Sequence, residues 1–120
     1  MQLVDIQHVA IKTQDLEATN AFYTDVLGMT LAHRPEFDFP GSWLNIGNTM
    51  FHVMAGYAGL DKDGKSPNGS ASVDHIALEA SGFDSFKQNF ETRGIDWRQF
   101  DIPDAGLWQL FVHDPNGILI

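Results

Sequence analysis

The sequence predicts an α+β fold in which two tandem βαβββ modules form one curved mixed sheet around a cleft. Three observations carry this. The strand pattern Gln7-His8-Val9-Ala10-Ile11-Lys12 returns as Asp74-His75-Ile76-Ala77-Leu78-Glu79, with histidine in the same place. Each copy leads into an amphipathic helical pattern. Each half then closes on a strong turn signal, Gly47-Asn48 in the first and Asp114-Pro115-Asn116-Gly117 in the second.

A chain of 120 residues is one domain's worth, here split into module one (about 1–56), a linker (about 57–71) and module two (about 72–120). Apolar content of 43% and aromatic content of 12% are enough for a packed core. The absence of cysteine excludes disulfides, thiolate metal sites and cysteine nucleophiles. No apolar run reaches the length of a membrane span, and the N-terminus reads as an amphipathic strand rather than a signal peptide, so a cytoplasmic protein without membrane contact is expected. A net charge of −9 argues against nucleic acid, which needs a cationic surface. That charge reads first as a solvated acidic surface, and second as a cleft for a cationic ligand.

Taken in order, residues 3–12 alternate: Val4, Ile6, His8 and Ala10 on one face, Asp5, Gln7, Val9 and Ile11 on the other. Asp15 is placed to cap a helix whose apolar positions are Leu16, Phe22, Tyr23, Val26 and Leu27, with Gly28 as its stop. A strand over 29–34 precedes Pro35 and the Pro40-Gly41 turn. The alternating runs 42–46 and 49–54 flank Gly47-Asn48 and read as a hairpin. A two-residue loop pairs Ile46 with Thr49, Asn45 with Met50, Leu44 with Phe51 and Trp43 with His52. Trp43, Asn45, Met50, His52 and Met54 then share a mixed face like a cleft lining. Leu44, Ile46, Phe51 and Val53 share an apolar face that belongs under the helix.

In the linker, Asp61-Lys62-Asp63-Gly64 lacks the spacing and terminal Glu of a calcium loop and reads as a solvated loop. Module two restarts with a strand over 73–80, His75 and Ala77 on one face, Ile76 and Leu78 on the other. Ser81 or Asp84 is placed to cap a helix carrying Phe83, Phe86 and Phe90 and ending at Gly94. Strands are predicted over 95–99 and 107–113, with a loop at 103–106. If Gly117 forms the bulge that follows a type I turn, Asp114 pairs with Ile118 in a last strand, and Phe111 faces the position after Ile120.

Three of the five histidines, His8, His52 and His75, lie inside predicted strands on the faces turned away from the helices. One strand histidine is more often a packing or surface residue; three on matching faces of a duplicated fold point to metal ligation. Neutral imidazoles suit Zn, Ni, Fe, Mn or Co, so one divalent metal ion is the expected cofactor. His33 and His113 stand at strand ends beside charged residues and read as surface histidines. Trp43, Asn45, Met50 and Phe111 are candidate substrate-binding residues for a partly apolar small molecule, with plain packing as the competing reading of Trp43 and Phe111.

The segments His8-Val9-Ala10-Ile11, Ala21-Phe22-Tyr23-Thr24-Asp25-Val26-Leu27-Gly28-Met29, Asp74-His75-Ile76-Ala77-Leu78 and Phe111-Val112-His113-Asp114-Pro115-Asn116-Gly117 stand in an order that resembles the vicinal oxygen chelate superfamily. Its members include glyoxalase I, bleomycin-resistance proteins and extradiol dioxygenases, and the resemblance covers nearly the whole chain. It implies a glyoxalase-like fold with metal ligands on the first and fourth strands of each module. These would be His8 and His75, then His52 where glyoxalase I-like members usually carry glutamate, then a carboxylate directly after Ile120. On that pattern the protein is expected to continue past Ile120; otherwise the site rests on three histidines. The resemblance also implies a homodimer and a small-molecule substrate that chelates the metal through neighbouring oxygens. Glyoxalase I-like lyase or isomerase chemistry, with His52 as candidate catalytic base, and extradiol dioxygenase-like cleavage both remain open. Thiol transfer to an antibiotic epoxide, as in fosfomycin-resistance relatives, would bring a potassium site and a more basic pocket than this sequence suggests. The alternative class is a metal-free protein of the bleomycin-resistance type that sequesters an antibiotic or other small molecule. The charge of −9 suits it, and the histidines do not.

Overall fold

The computed structural model describes residues 1–2, 4–55 and 75–120. The linker with Asp61-Lys62-Asp63-Gly64, and the opening of the second histidine strand at Val73 and Asp74, fall outside them. Module one follows the predicted order: β1 (His8–Thr13), α1 (Leu16–Ala21), β2 (Thr30–Ala32), β3 (Gly41–Ile46) and β4 (Thr49–Ala55). The strands form a mixed sheet in the order β1-β4-β3-β2, with β1 parallel to β4 and the other pairs antiparallel. In module two, α2 (Phe83–Thr92) precedes β5 (Trp97–Gln99) and β6 (Leu110–Val112), which pair antiparallel. This is the expected α+β architecture with shorter strands.

Local chemistry explains the elements. Asp15 caps α1, its Oδ1 accepting from the Ala18 N–H at 2.9 Å. The helix then widens into a π-helical turn, Phe22–Val26, before stopping at Gly28 (φ 79°). The Gly47-Asn48 hairpin has the predicted register, Trp43 opposite His52 and Leu44 opposite Phe51. Its apolar face is the core: Leu44 is fully buried, Phe51 and Val53 are 1% exposed, and Tyr23, Val26, Phe90 and Val112 close over them. The side chains of the opposite face are half-buried or exposed.

Two expectations need correction in module two. Residues 75–80 do not form a regular strand. The Ile76 N–H donates to the Leu119 carbonyl at 3.0 Å, but one such bond does not make a ladder. The alternation survives without it, since Ile76 and Leu78 pack on the core while His75 and Ala77 are exposed. The cap of α2 is neither Ser81 nor Asp84 but Gly82, without a side-chain bond. Asp84 falls instead in the first turn, where its charge complements the helix N-terminus.

The final hairpin has the register that the turn predicts. The Asp114 N–H donates to the Ile118 carbonyl (2.9 Å), His113 pairs with Leu119, and Gly117 takes φ 81°. This turn is tied to module one by a buried polar clasp. The Tyr23 hydroxyl donates to Asp114 Oδ2 (3.0 Å), Thr13 donates to Asn116 Oδ1 (2.7 Å), and Asn116 Nδ2 donates to Thr19 Oγ1 (3.1 Å). Asp114 Oδ1 also accepts the Asn116 and Ile118 backbone N–H groups at 2.8 Å each. Tyr23, Thr13 and Thr19 are fully buried, so each hydroxyl needs a partner, and this network supplies one.

Candidate functional site

Sheet register brings three rings together. β1 lies against β4 with Ala10 opposite His52, and β3 lies on the other side of β4 with Trp43 opposite His52. Side chains on one pleat face stand side by side, so His52 is sandwiched. The Trp43 and His52 centroids are 4.2 Å apart with planes at 5°, and His52 and His8 are 4.2 Å apart at 12°. This stack lines an open cleft of about 210 Å³, completed by Ala10, Val53 and Met54 of the sheet and by Arg34, Phe37 and Phe39 of the segment joining β2 to β3. Among the described lining residues none is acidic.

The electrostatics follow from that lining. Burial first, then the neighbouring His8 and Arg34 charges, hold His52 below the ordinary histidine range, which favours neutral imidazole. His52 Nε2 is buried and has no hydrogen-bond partner. The His8 Nδ1 rests against Gln7 Oε1, and a proton shared there leaves His8 Nε2 bare. The ring nitrogens of His8 and His52, the latter with its buried Nε2 unsatisfied, are donors of the type that fits a divalent ion of intermediate softness. They are two ligands where a catalytic ion takes about three from protein. Among the described residues no group of three metal-ligating side chains comes together.

The other sequence candidates lie elsewhere. His75 is exposed, its ring 6.1 Å from Phe111 in an edge contact, and it is not part of the cleft lining. Phe111 carries the Arg98 guanidinium 4.1 Å above its ring. Asn45 and Met50 share the face of Trp43 and His52 but not the cleft wall. A second groove of about 280 Å³ runs past Val9, Phe51, Ile76 and Leu78; it exposes the edges of the core and has no histidine in its described lining. Sequence reasoning missed Arg34, Phe37 and Phe39. The available signal was Arg34-Pro35-Glu36-Phe37-Asp38-Phe39, a cation followed by aromatics at alternate positions beside a predicted strand end.

The family model described as Glyoxalase/Bleomycin resistance protein/Dioxygenase superfamily matches residues 5–120. The chain belongs to that superfamily. Within it, the chain is similar to Glyoxylase I 4 of Arabidopsis thaliana, at 27% identity over 126 residues covering 100% of this chain and 70% of that protein. Among solved structures, a glyoxalase family protein from Bacillus anthracis superposes with a TM-score of 0.78 at 26% identity, covering 100% of this chain and 93% of the other. A lactoylglutathione lyase from Agrobacterium tumefaciens superposes with a TM-score of 0.70 at 22% identity, covering 98% and 91%. The parallel β1–β4 pairing is what brings His8 of the first strand and His52 of the fourth into one cleft.

Proposed function

We propose that this glyoxalase-superfamily protein is a metal-dependent enzyme acting on a small molecule through two neighbouring oxygens, with His8 and His52 as metal ligands. The observation that carries the reading is the buried, unpartnered Nε2 of His52 in a ring stack with His8. A divalent ion bound there would supply Lewis acidity toward the substrate oxygens. The chain's own residues do the rest. Trp43 packs flat on His52 and fixes its ring plane. A neutral imidazole offers one lone pair, so His52 would hold the ion or, released from it, accept a proton from the substrate, but not both at once. Phe37, Phe39 and Met54 keep the wall apolar and limit water. A lyase or isomerase reaction is favoured over dioxygenase chemistry by the names of the relatives, glyoxylase I and lactoylglutathione lyase.

The third nitrogen in this reading is His75 of a second copy, in a homodimer whose sites are shared between modules. Its exposure supports this, as do the exposed apolar side chains Phe100, Ile102, Leu107 and Trp108, of which Ile102 and Leu107 pair across one short loop. Metal analysis of the purified protein is the test. About one ion per chain is expected, falling several-fold in His8→Ala and His52→Ala. Metal-free wild-type protein after exposure to Zn, Ni, Fe, Mn and Co in turn would overturn the reading. That result would favour a metal-free sequestering protein, which the aromatic lining also suits. A cationic drug would fit poorly, because the titratable groups of the described lining are His8, Arg34 and His52.

A further inference from the structure

We propose that Arg34 is the specificity-determining residue of the cleft, selecting small substrates that carry a carboxylate beside a flat apolar body. The proposal rests on the cleft being the ligand site but not on a metal being present.

The placement of Arg34 is built. Its Nη2 donates to the Phe39 carbonyl at 2.9 Å, and its guanidinium carbon lies 4.7 Å from the Phe37 ring centre and 5.0 Å from that of Phe39. Behind it, Gly41 leaves the space the group occupies: a Cβ there would stand 3.1 Å from Nη2 and 3.2 Å from Nε. Held by one carbonyl and two ring faces, the guanidinium keeps its plane, so little rotamer freedom remains to be lost on binding. One of its five N–H donors is used by Phe39, and a carboxylate is the acceptor whose two oxygens match the remaining fork.

The rest of the lining points the same way. Trp43 and Phe37 offer flat apolar surface at 6.1 Å from each other, and no described lining residue carries a negative charge to oppose an anion. The protein as a whole carries −9, so a cleft whose charged and titratable groups are Arg34, His8 and His52 is a local reversal of sign. A cleft of about 210 Å³ lies below the roughly 300 Å³ at which drug-sized pockets begin, which favours a compact molecule.

The test uses the intact protein freed of metal by chelation, so that an anion cannot bind through an ion. Benzoate and its neutral counterpart benzamide are titrated to roughly tens of millimolar and followed by amide NMR shifts. Wild type should bind benzoate about tenfold or more tightly than benzamide, with shifts at residues around the cleft. Arg34→Gln should lose that preference, chiefly by weakening benzoate, and Arg34→Lys should keep part of it. Spectra of both variants in the absence of ligand establish that they are folded. Equal binding of the two ligands by wild type, no benzoate binding at all, or an undiminished benzoate preference in Arg34→Gln would each overturn the proposal. Metal binding with no anion preference would sink the role of Arg34 alone. Anion preference without metal binding would sink the metalloenzyme reading alone.

Discussion

Tyr23 shows how much one side chain decides in this fold. It is fully buried, and burial, followed by the neighbouring Asp114 carboxylate and their hydrogen bond, pushes its hydroxyl well above the ordinary tyrosine range. The sign follows from the raised value. The folded state holds the proton, while an unfolded tyrosine loses it near pH about 10. The contribution of Tyr23 is therefore whole below that pH and declines as pH rises beyond it. Tyr23→Phe should cost about 1–3 kcal/mol at neutral pH, since a buried carboxylate loses a donor. The variant should also lose less stability than wild type between pH about 9 and 11. Urea unfolding across that range measures both, and parallel pH curves for the two proteins would contradict the assignment. At this scale the sequence was uneven. Asp15 and His52 were legible because cap position and strand parity are local properties. Arg34 was not, because its place depends on Gly41 and on two rings in an irregular segment.

At the scale of elements, legibility tracked the range of the interactions. The β3–β4 register followed from a two-residue loop, and the last hairpin from the Asp114-Pro115-Asn116-Gly117 turn, because a short turn leaves one way to pair. Residues 75–80 kept their alternation but not their ladder, since the partner they need lies at 118–120, a distant match that no local pattern encodes. The β1–β4 parallel pairing is equally non-local; it could be inferred only by asking which strand faces bring His8 and His52 together. Gly41 is the position where an element tolerates least change. A Cβ there would meet the Val53 carbonyl oxygen at 2.3 Å, so β3 would have to move away from β4. Gly41→Ala should lower stability by about 1–3 kcal/mol, the usual cost of overpacking. It should also weaken benzoate binding by displacing Arg34. Thermal unfolding and the same NMR titration read these effects, and an unaltered melting temperature would show that the sheet edge yields more easily than the geometry implies.

For the whole molecule, the proposed metal site raises the question of a third ligand. If His75 of a second copy joins His8 and His52, two defective chains should repair each other. Co-expressed His8→Ala and His75→Ala chains would form mixed dimers with one intact and one doubly damaged site. Random pairing then predicts metal content near a quarter of wild type, where either variant alone binds little. Additive loss without recovery would place His75 outside the site. The exposed Phe100 and Trp108 make the companion prediction that sedimentation reports a dimer, and that Trp108→Glu shifts it toward monomer.

The polar clasp also has a meaning in time. Thr13 waits for Asn116, 103 residues later in the chain, and Tyr23 waits 91 residues for Asp114. During synthesis, a chain that has produced only β1 to β4 holds an apolar face and a tyrosine hydroxyl with no acceptor from the last hairpin. Such long-range closure is slow, and its unfinished state exposes surface to other chains. The duplicated look of the sequence therefore does not mean two units that fold in turn. The first module and the last hairpin share one buried hydrogen-bond network, so neither is complete without the other.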